Sequence, residues 1–192
     1  MIEQINIKIF SIINQYAGSN QVVDKIAVVI AEYLPFVFIL ALIYLLFSTD
    51  SENKHSALYS GYSAIVGVLV NLFITLFYFH PRPFMENIGT TLIKHAPESS
   101  FPSDHTTFML SVATMLTFAK STRVIGIILF LLGLLGGFFR VFCGIHFPAD
   151  ILGSFVVSVF ASIVIFTLRK ILVPVNNYVI HIYMKLLNKQ VA

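Results

Sequence analysis

His146 and Asp150 lie four residues apart in the run Arg140-Val-Phe-Cys-Gly-Ile-His146-Phe-Pro-Ala-Asp150. Across a helix start, that spacing lets the carboxylate accept a hydrogen bond from one imidazole nitrogen. The tautomer is then fixed and the other nitrogen is left free to attack an electrophile. Arg140 in the same run and Arg82 earlier in the chain offer planar, permanently charged donors that match phosphate oxygens. A third segment, Pro102-Ser103-Asp104-His105, opens an apolar stretch. A helix start there would add free backbone amides and the positive end of a helix dipole, a second anion-binding device, with Ser103 or Asp104 as cap. His105 is placed to protonate a leaving oxygen. A nucleophile, its orienter, an acid and a cationic clamp together describe phosphoryl transfer.

The elements that must position these residues are apolar. The chain has 192 residues, of which 57% are hydrophobic and 11% charged, with a mean hydropathy of +0.88. Soluble domains hold roughly 45–50% apolar residues, so the composition predicts an all-α, polytopic membrane helical bundle. At about 20 residues per span, the length suits one membrane-embedded domain over residues 1–192 with five or six transmembrane helices. The net charge of +3 is small, and the basic residues are scattered, which excludes a nucleic-acid stripe. Cys143, the one cysteine, cannot form an internal disulfide and reads as an apolar filler. Early Glu3 without a basic leader predicts no cleavable signal peptide.

In order, residues 2–16 put Ile5, Ile9, Ile12 and Ile13 against Glu3, Asn6, Lys8 and Asn14, the pattern of an interfacial amphipathic helix within residues 1–18. Spans follow over about Ala27 to Phe47, with Glu32 and Pro35 in its early turns, and Ala57 to Phe79, separated by a polar loop, Ser48 to His55. On the second span, Ser60, Gly61, Ala64 and Gly67 form a small-residue face, and Asn71, Thr75 and Tyr78 share a side that should face the protein. His80-Pro-Arg-Pro83 stops that helix and begins the longest polar connection. A helix from Ser103 to about Ala119 follows, then a span from Val124 to Phe142 with Gly126, Gly133, Gly136 and Gly137 available for close packing. Asp150 opens the next span, to Leu168. The tail over 171–192, broken by Pro174, Asn176 and Asn177, reads as a sixth span or an interfacial helix.

Lys54, Lys120, Arg123, Arg169 and Lys170 all fall on one side of this arrangement, which the positive-inside rule makes cytoplasmic. Arg82, Ser103, His105, Arg140, His146 and Asp150 then converge on the outer face of the membrane. A lipid headgroup can reach them there with its tail still in the bilayer.

Arg82-Pro83, Pro102-Ser-Asp-His105, and Arg140 with His146 and Asp150 at their spacing resemble the three-part signature of the type-2 phosphatidic acid phosphatase superfamily, within residues 75–150. The resemblance implies His146 as a nucleophile forming a phosphohistidine, Asp150 as its partner and His105 as acid to the leaving group. It implies Arg82, Arg140 and Ser103 as phosphate ligands, with Pro83 and the residues that stand at two further motif positions, Asp104 and Thr75, beside the substrate, and no metal or other cofactor. The chain departs from the pattern at Thr75, where a lysine is usual, at Asp104 in place of glycine and at Phe139 in place of serine. Phe79-His-Pro-Arg-Pro-Phe84, Phe101-Pro-Ser-Asp-His-Thr-Thr107 and the length are most similar to the bacterial bacitracin-resistance type of undecaprenyl diphosphate phosphatase. That implies a polyprenyl diphosphate as substrate and a part in recycling the cell-wall lipid carrier.

Other readings use the same residues. Phosphatidic acid or phosphatidylglycerol phosphate could be the substrate, or the reaction a phosphotransfer. His105, His146 and Asp150 suit zinc, but two nearby arginines would repel a dication. A lipid-headgroup transporter would place its site near the bilayer midplane between broken helices, whereas these clusters lie at span ends. His55, His80, His95 and His181 read as structural hydrogen-bonding residues, and Glu32 as a shallow capping or interface residue.

Overall fold

The computed structural model describes the backbone of residues 2–190 and the side chains of residues 2–186. Met1 and residues 191–192 of the two terminal ranges discussed above lie outside the described residues. The chain is an all-α polytopic membrane bundle, and its described residues form six α-helices: α1 (Ile2–Asn14), α2 (Gln21–Leu46), α3 (Ser51–Phe77), α4 (Asp104–Thr117), α5 (Arg123–Phe142) and α6 (Pro148–Gln190), with a short 3₁₀ turn at Pro83–Glu86. Helices α2, α3, α5 and α6 are long and apolar enough to cross a membrane. The 14 residues of α4 rise only about 21 Å at 1.5 Å each, less than the roughly 30 Å hydrocarbon core.

That short helix is the hub. It packs against α2, α3, α5 and α6, and its residues from Met109 to Leu116 are buried on every side, Ser111 and Thr114 among them. Met109, Val112, Ala113 and Leu116 meet Phe38 and Leu45 of α2, Ala57 and Ala64 of α3 and Leu129 of α5 in one core. Small residues let the backbones close in: a Cβ on Gly126 would lie 2.7 Å from the backbone nitrogen of Thr117. Ser60, Ala64 and Gly67 of α3 are buried as predicted, but Gly61 is off that face, since a Cβ there would meet nothing. A stripe on α6 went unread in the sequence: Ser154, Ser158 and Ser162 are buried, and the Ser162 hydroxyl meets that of Ser63 at 2.9 Å.

Caps explain where the helices depart from the hydropathy reading. Asn20 accepts hydrogen bonds from the amides of Val22 and Val23, so α2 starts six residues before the predicted Ala27. Asp50 caps Glu52, and the polar run expected as a loop to His55 forms the first turn of α3 instead. The tail does not form a helix of its own, because α6 continues unbroken through Pro174 to Gln190. Two of its polar residues reach across the bundle: the side-chain amide nitrogen of buried Asn176 meets His55 Nδ1 at 3.1 Å, and the Tyr183 hydroxyl donates to the Leu46 carbonyl at 2.8 Å.

Helix α1 turns its amides inward. Asn6, Phe10 and Asn14 are its buried residues, while Ile5, Ile9 and Ile12 are exposed. Asn14 donates to the carbonyls of Thr90 and Phe142, both at 2.8 Å, and accepts from the Thr90 amide at 2.6 Å. Asn6 accepts from the Ala149 amide at 2.9 Å. The connection between α3 and α4 is pinned as well, by Ser100 N–H to the His80 carbonyl (2.7 Å) and Leu92 N–H to the Cys143 carbonyl (3.0 Å).

Candidate functional site

The centre of the site is the turn between α5 and α6. Gly144 makes it with a φ of +77°, and a Cβ there would lie 2.3 Å from the Thr90 carbonyl oxygen. Only glycine fits this left-handed residue beside another backbone. The turn delivers His146, 1% exposed, next to Asp150, fully buried in the first turn of α6.

His146 Nδ1 lies 3.3 Å from Asp150 Oδ2. On its other side, Nε2 meets Arg82 Nη1 at 3.1 Å and Arg140 Nη2 at 3.4 Å. A guanidinium only donates, so Nε2 must present its lone pair and the ring proton belongs on Nδ1, facing the carboxylate. This is the tautomer expected from the spacing of four. Burial pushes the His146 pKa down to about 3, against the hydrogen bond it donates to Asp150 and with help from the Arg140 and Arg82 charges. The ring is therefore a neutral base at physiological pH.

Both arginines are almost fully buried and anchored on backbone. Arg82 Nη1 donates to the Ile145 carbonyl at 3.0 Å and Nη2 to the Ser99 carbonyl at 3.3 Å. Arg140 Nη1 donates to the Ala31 carbonyl at 3.0 Å. Their Nε atoms are buried without a protein acceptor. Burying two cations is costly unless an anion answers them. Burial draws the Arg82 pKa down, and the carboxylates of Asp150, Glu98 and Asp104 oppose this.

The start of α4 flanks this centre. Ser103 is buried at the N-cap position, yet its side chain makes no capping bond. Its hydroxyl accepts from Thr106 at 3.1 Å and its carbonyl from Ser154 at 2.9 Å. The expected side-chain cap is thus absent, the hydroxyl meeting the Thr106 side chain in place of a backbone amide. Asp104 and His105 are both exposed and face different recesses. His105 lines one of about 270 Å³ with Arg140, Glu32, Tyr33 and His95. Asp104 lines another of about 340 Å³ with Arg82, Thr75, Glu98, Ser99, Val68 and Leu72. Asn71 donates to the Asp104 carboxylate at 2.8 Å.

Thr75 borders that second recess with its hydroxyl on the Leu72 carbonyl of its own helix (2.8 Å). Pro83 is buried at the head of the 3₁₀ turn, where it fixes the backbone after Arg82. Of the side of α3 expected to face inward, Asn71 is buried, but Tyr78 is 51% exposed, because the helix ends at Phe77 and Tyr78 is already extended backbone. Phe139, at the family's serine position, packs with Phe142.

Four residues at the site were unread or read otherwise in the sequence. Ser100 donates to Asp150 Oδ2 and lies 3.4 Å from His146 Nδ1. His95, read as structural, lines the His105 recess, as does Glu32. His80, also read as structural, points Nδ1 at Asp150 Oδ1, 3.6 Å away. Loop residues carry no periodic signal, and only the adjacency of His80 to Arg82 offered a hint.

Comparison with known proteins bears on the same residues. Residues 56–173 match the PAP2 superfamily, a range that holds Arg82, His105, Arg140, His146 and Asp150. The chain belongs to the PAP2 superfamily. It is 38% identical over 96% of its length to undecaprenyl-diphosphatase BcrC of Bacillus subtilis (strain 168), covering 95% of that protein. A Bacillus licheniformis protein named bacitracin transport permease protein BcrC is 24% identical over 85% of this chain and 80% of that one. The fold is similar to that of Aquifex aeolicus LpxE in its crystal structure, with a TM-score of 0.71, 24% identity and coverage of 85% of this chain and 95% of that one.

Proposed function

We propose that this protein hydrolyses undecaprenyl diphosphate, or a close polyprenyl diphosphate, to the monophosphate and inorganic phosphate at the outer face of the plasma membrane. The observation that carries the reading is His146 itself, held between the Asp150 carboxylate and two guanidinium groups with its Nε2 lone pair toward the cations. The near full-length relative named undecaprenyl-diphosphatase supports the choice of substrate.

In this mechanism the terminal phosphate takes over the guanidinium donors that now meet Nε2, and the free amides at the start of α4 add to the clamp. His146 Nε2 attacks the terminal phosphorus, a P–N bond forms, and the P–O bond to the bridging oxygen breaks. His105 gives a proton to the departing lipid monophosphate. Asp150 holds the Nδ1 proton throughout and stabilises the charge that develops on the ring. His105 then takes a proton from water, whose oxygen attacks the phosphorus; the P–N bond breaks and phosphate leaves. The two cations at Nε2 disfavour a metal ion at that nitrogen, so none is assigned a step. The exposed apolar side chains Val68 and Leu72 border the Arg82 recess, a natural path for a lipid tail.

The test is phosphate release by purified protein across a panel of polyprenyl diphosphates, phosphatidic acid and phosphatidylglycerol phosphate, with and without EDTA. Polyprenyl diphosphate should be preferred and EDTA should have no effect. His146→Ala should lose about 10³-fold or more in kcat with its thermal transition retained. Turnover in that variant would defeat the phosphohistidine route, and loss of activity in EDTA would revive the metal reading. Lipid export without phosphate release would favour the transport named for the B. licheniformis relative.

A further inference from the structure

Asp150 has two carboxylate oxygens, and the scheme above uses only one. Oδ2 takes the Phe147 amide at 2.7 Å, His146 Nδ1 and the Ser100 hydroxyl. Oδ1 is buried without a hydrogen-bond partner, and so is His80 Nδ1. These two orphans face each other at 3.6 Å, where a shift of a few tenths of an ångström would complete a hydrogen bond. A buried carboxylate oxygen left unpaired is costly, and no other donor among the described residues reaches this one.

The His80 ring is held in that direction. Its backbone is fixed by the Ser99 hydroxyl on its amide (3.2 Å) and the Ser100 amide on its carbonyl (2.7 Å). Tyr78 stacks on it at 6.1 Å between centroids, and Phe147 meets it edge-on at 5.4 Å. The remaining nitrogen, Nε2, lies 3.6 Å from Glu3 Oε2 of α1. Three segments distant in sequence thus line up as Glu3, His80, Asp150 and His146.

We infer that His80 is a positioning residue for the hydrolysis, a second imidazole that donates Nδ1–H to the free oxygen of Asp150 and so holds the carboxylate square to His146. The inference rests on the proposed roles of His146 and Asp150. His80 touches neither substrate nor the reacting nitrogen, so its loss should appear in kcat and leave KM nearly unchanged.

Asparagine and glutamine separate the two faces of the ring: Asn places an amide N–H near the position of Nδ1, while Gln reaches toward that of Nε2. Steady-state phosphate release from a polyprenyl diphosphate in detergent should show kcat for His80→Ala down about tenfold or more, the loss of one charge-assisted hydrogen bond, with KM within about twofold. His80→Asn should recover most of kcat and His80→Gln little. Full activity in His80→Ala, a loss confined to KM, or His80→Gln performing as well as His80→Asn would overturn the inference. Should the alanine variant fail to fold, the Asn and Gln pair decides alone. His146→Ala in the same assay separates the two levels: if it is inactive while every His80 variant is fully active, only the role of His80 falls. If His146→Ala turns over, the reading beneath it falls too.

Discussion

At the scale of single residues, the site combines a neutral imidazole with two buried cations, and this sets its response to pH. Burial holds the His146 pKa near 3, whereas an unfolded chain would protonate the same ring near its ordinary value of about 6.5. Between those values the unfolded state binds the extra proton and the folded state does not, so stability falls as pH drops through that window. The imidazole proposed as nucleophile stays unprotonated there. Acidification to pH of about 5 should therefore lower the melting temperature in detergent while single-turnover cleavage by the protein still folded keeps more than about half its rate; loss of that rate with a midpoint near 6.5 would contradict the assignment. Asp104 allows a second test. Its carboxylate shares a recess with Arg82 and weakens the cationic clamp, so Asp104→Gly should lower KM by about threefold, the scale of a partly screened charge, with kcat little changed.

At the scale of elements, much of the site follows from where helices begin and end. The turn at Gly144 carries His146 from the end of α5 to the start of α6, and its positive φ beside the Thr90 carbonyl leaves no room for a side chain. Gly144→Ala should cost about 2 kcal/mol or more through backbone strain and displacement of the 90–91 segment, seen as a lower melting temperature with a fall in kcat. The pairs His146–Asp150 and Arg140–His146 were legible in the sequence because they lie within one local turn, where spacing dictates geometry. The apolar spans were legible by hydropathy. Ser100 and His80 were not, since their contacts with Asp150 depend on how the long α3–α4 connection folds back, which no periodicity encodes. The tail misled for a related reason: Pro174 and Asn176 look like breakers, but Asn176 finds His55 across the bundle, and neighbouring helices make a proline tolerable within a membrane helix.

At the scale of the whole molecule, the site lies at the end of the bundle where α3 and α5 finish and α4 and α6 start, and α1 braces it from outside. Deleting residues 2–14 should leave α2 to α6 able to insert, yet reduce phosphate release by at least about tenfold, because Thr90, Phe142 and Ala149 all lose their asparagine partners. Gel filtration in detergent with the activity assay would separate this from simple misfolding. The inward-facing amides of α1 also constrain the order of events during synthesis. Asn6 waits for Ala149, 143 residues later, and Arg82 for Ile145, 63 residues later. At roughly 5–20 residues per second, the first helix leaves the ribosome several seconds before its partner exists. The site is therefore assembled late and in one step: a nascent chain stalled just after Arg140 carries both arginines and His105 but neither His146 nor Asp150, and has no phosphatase site until its last helix is in the membrane.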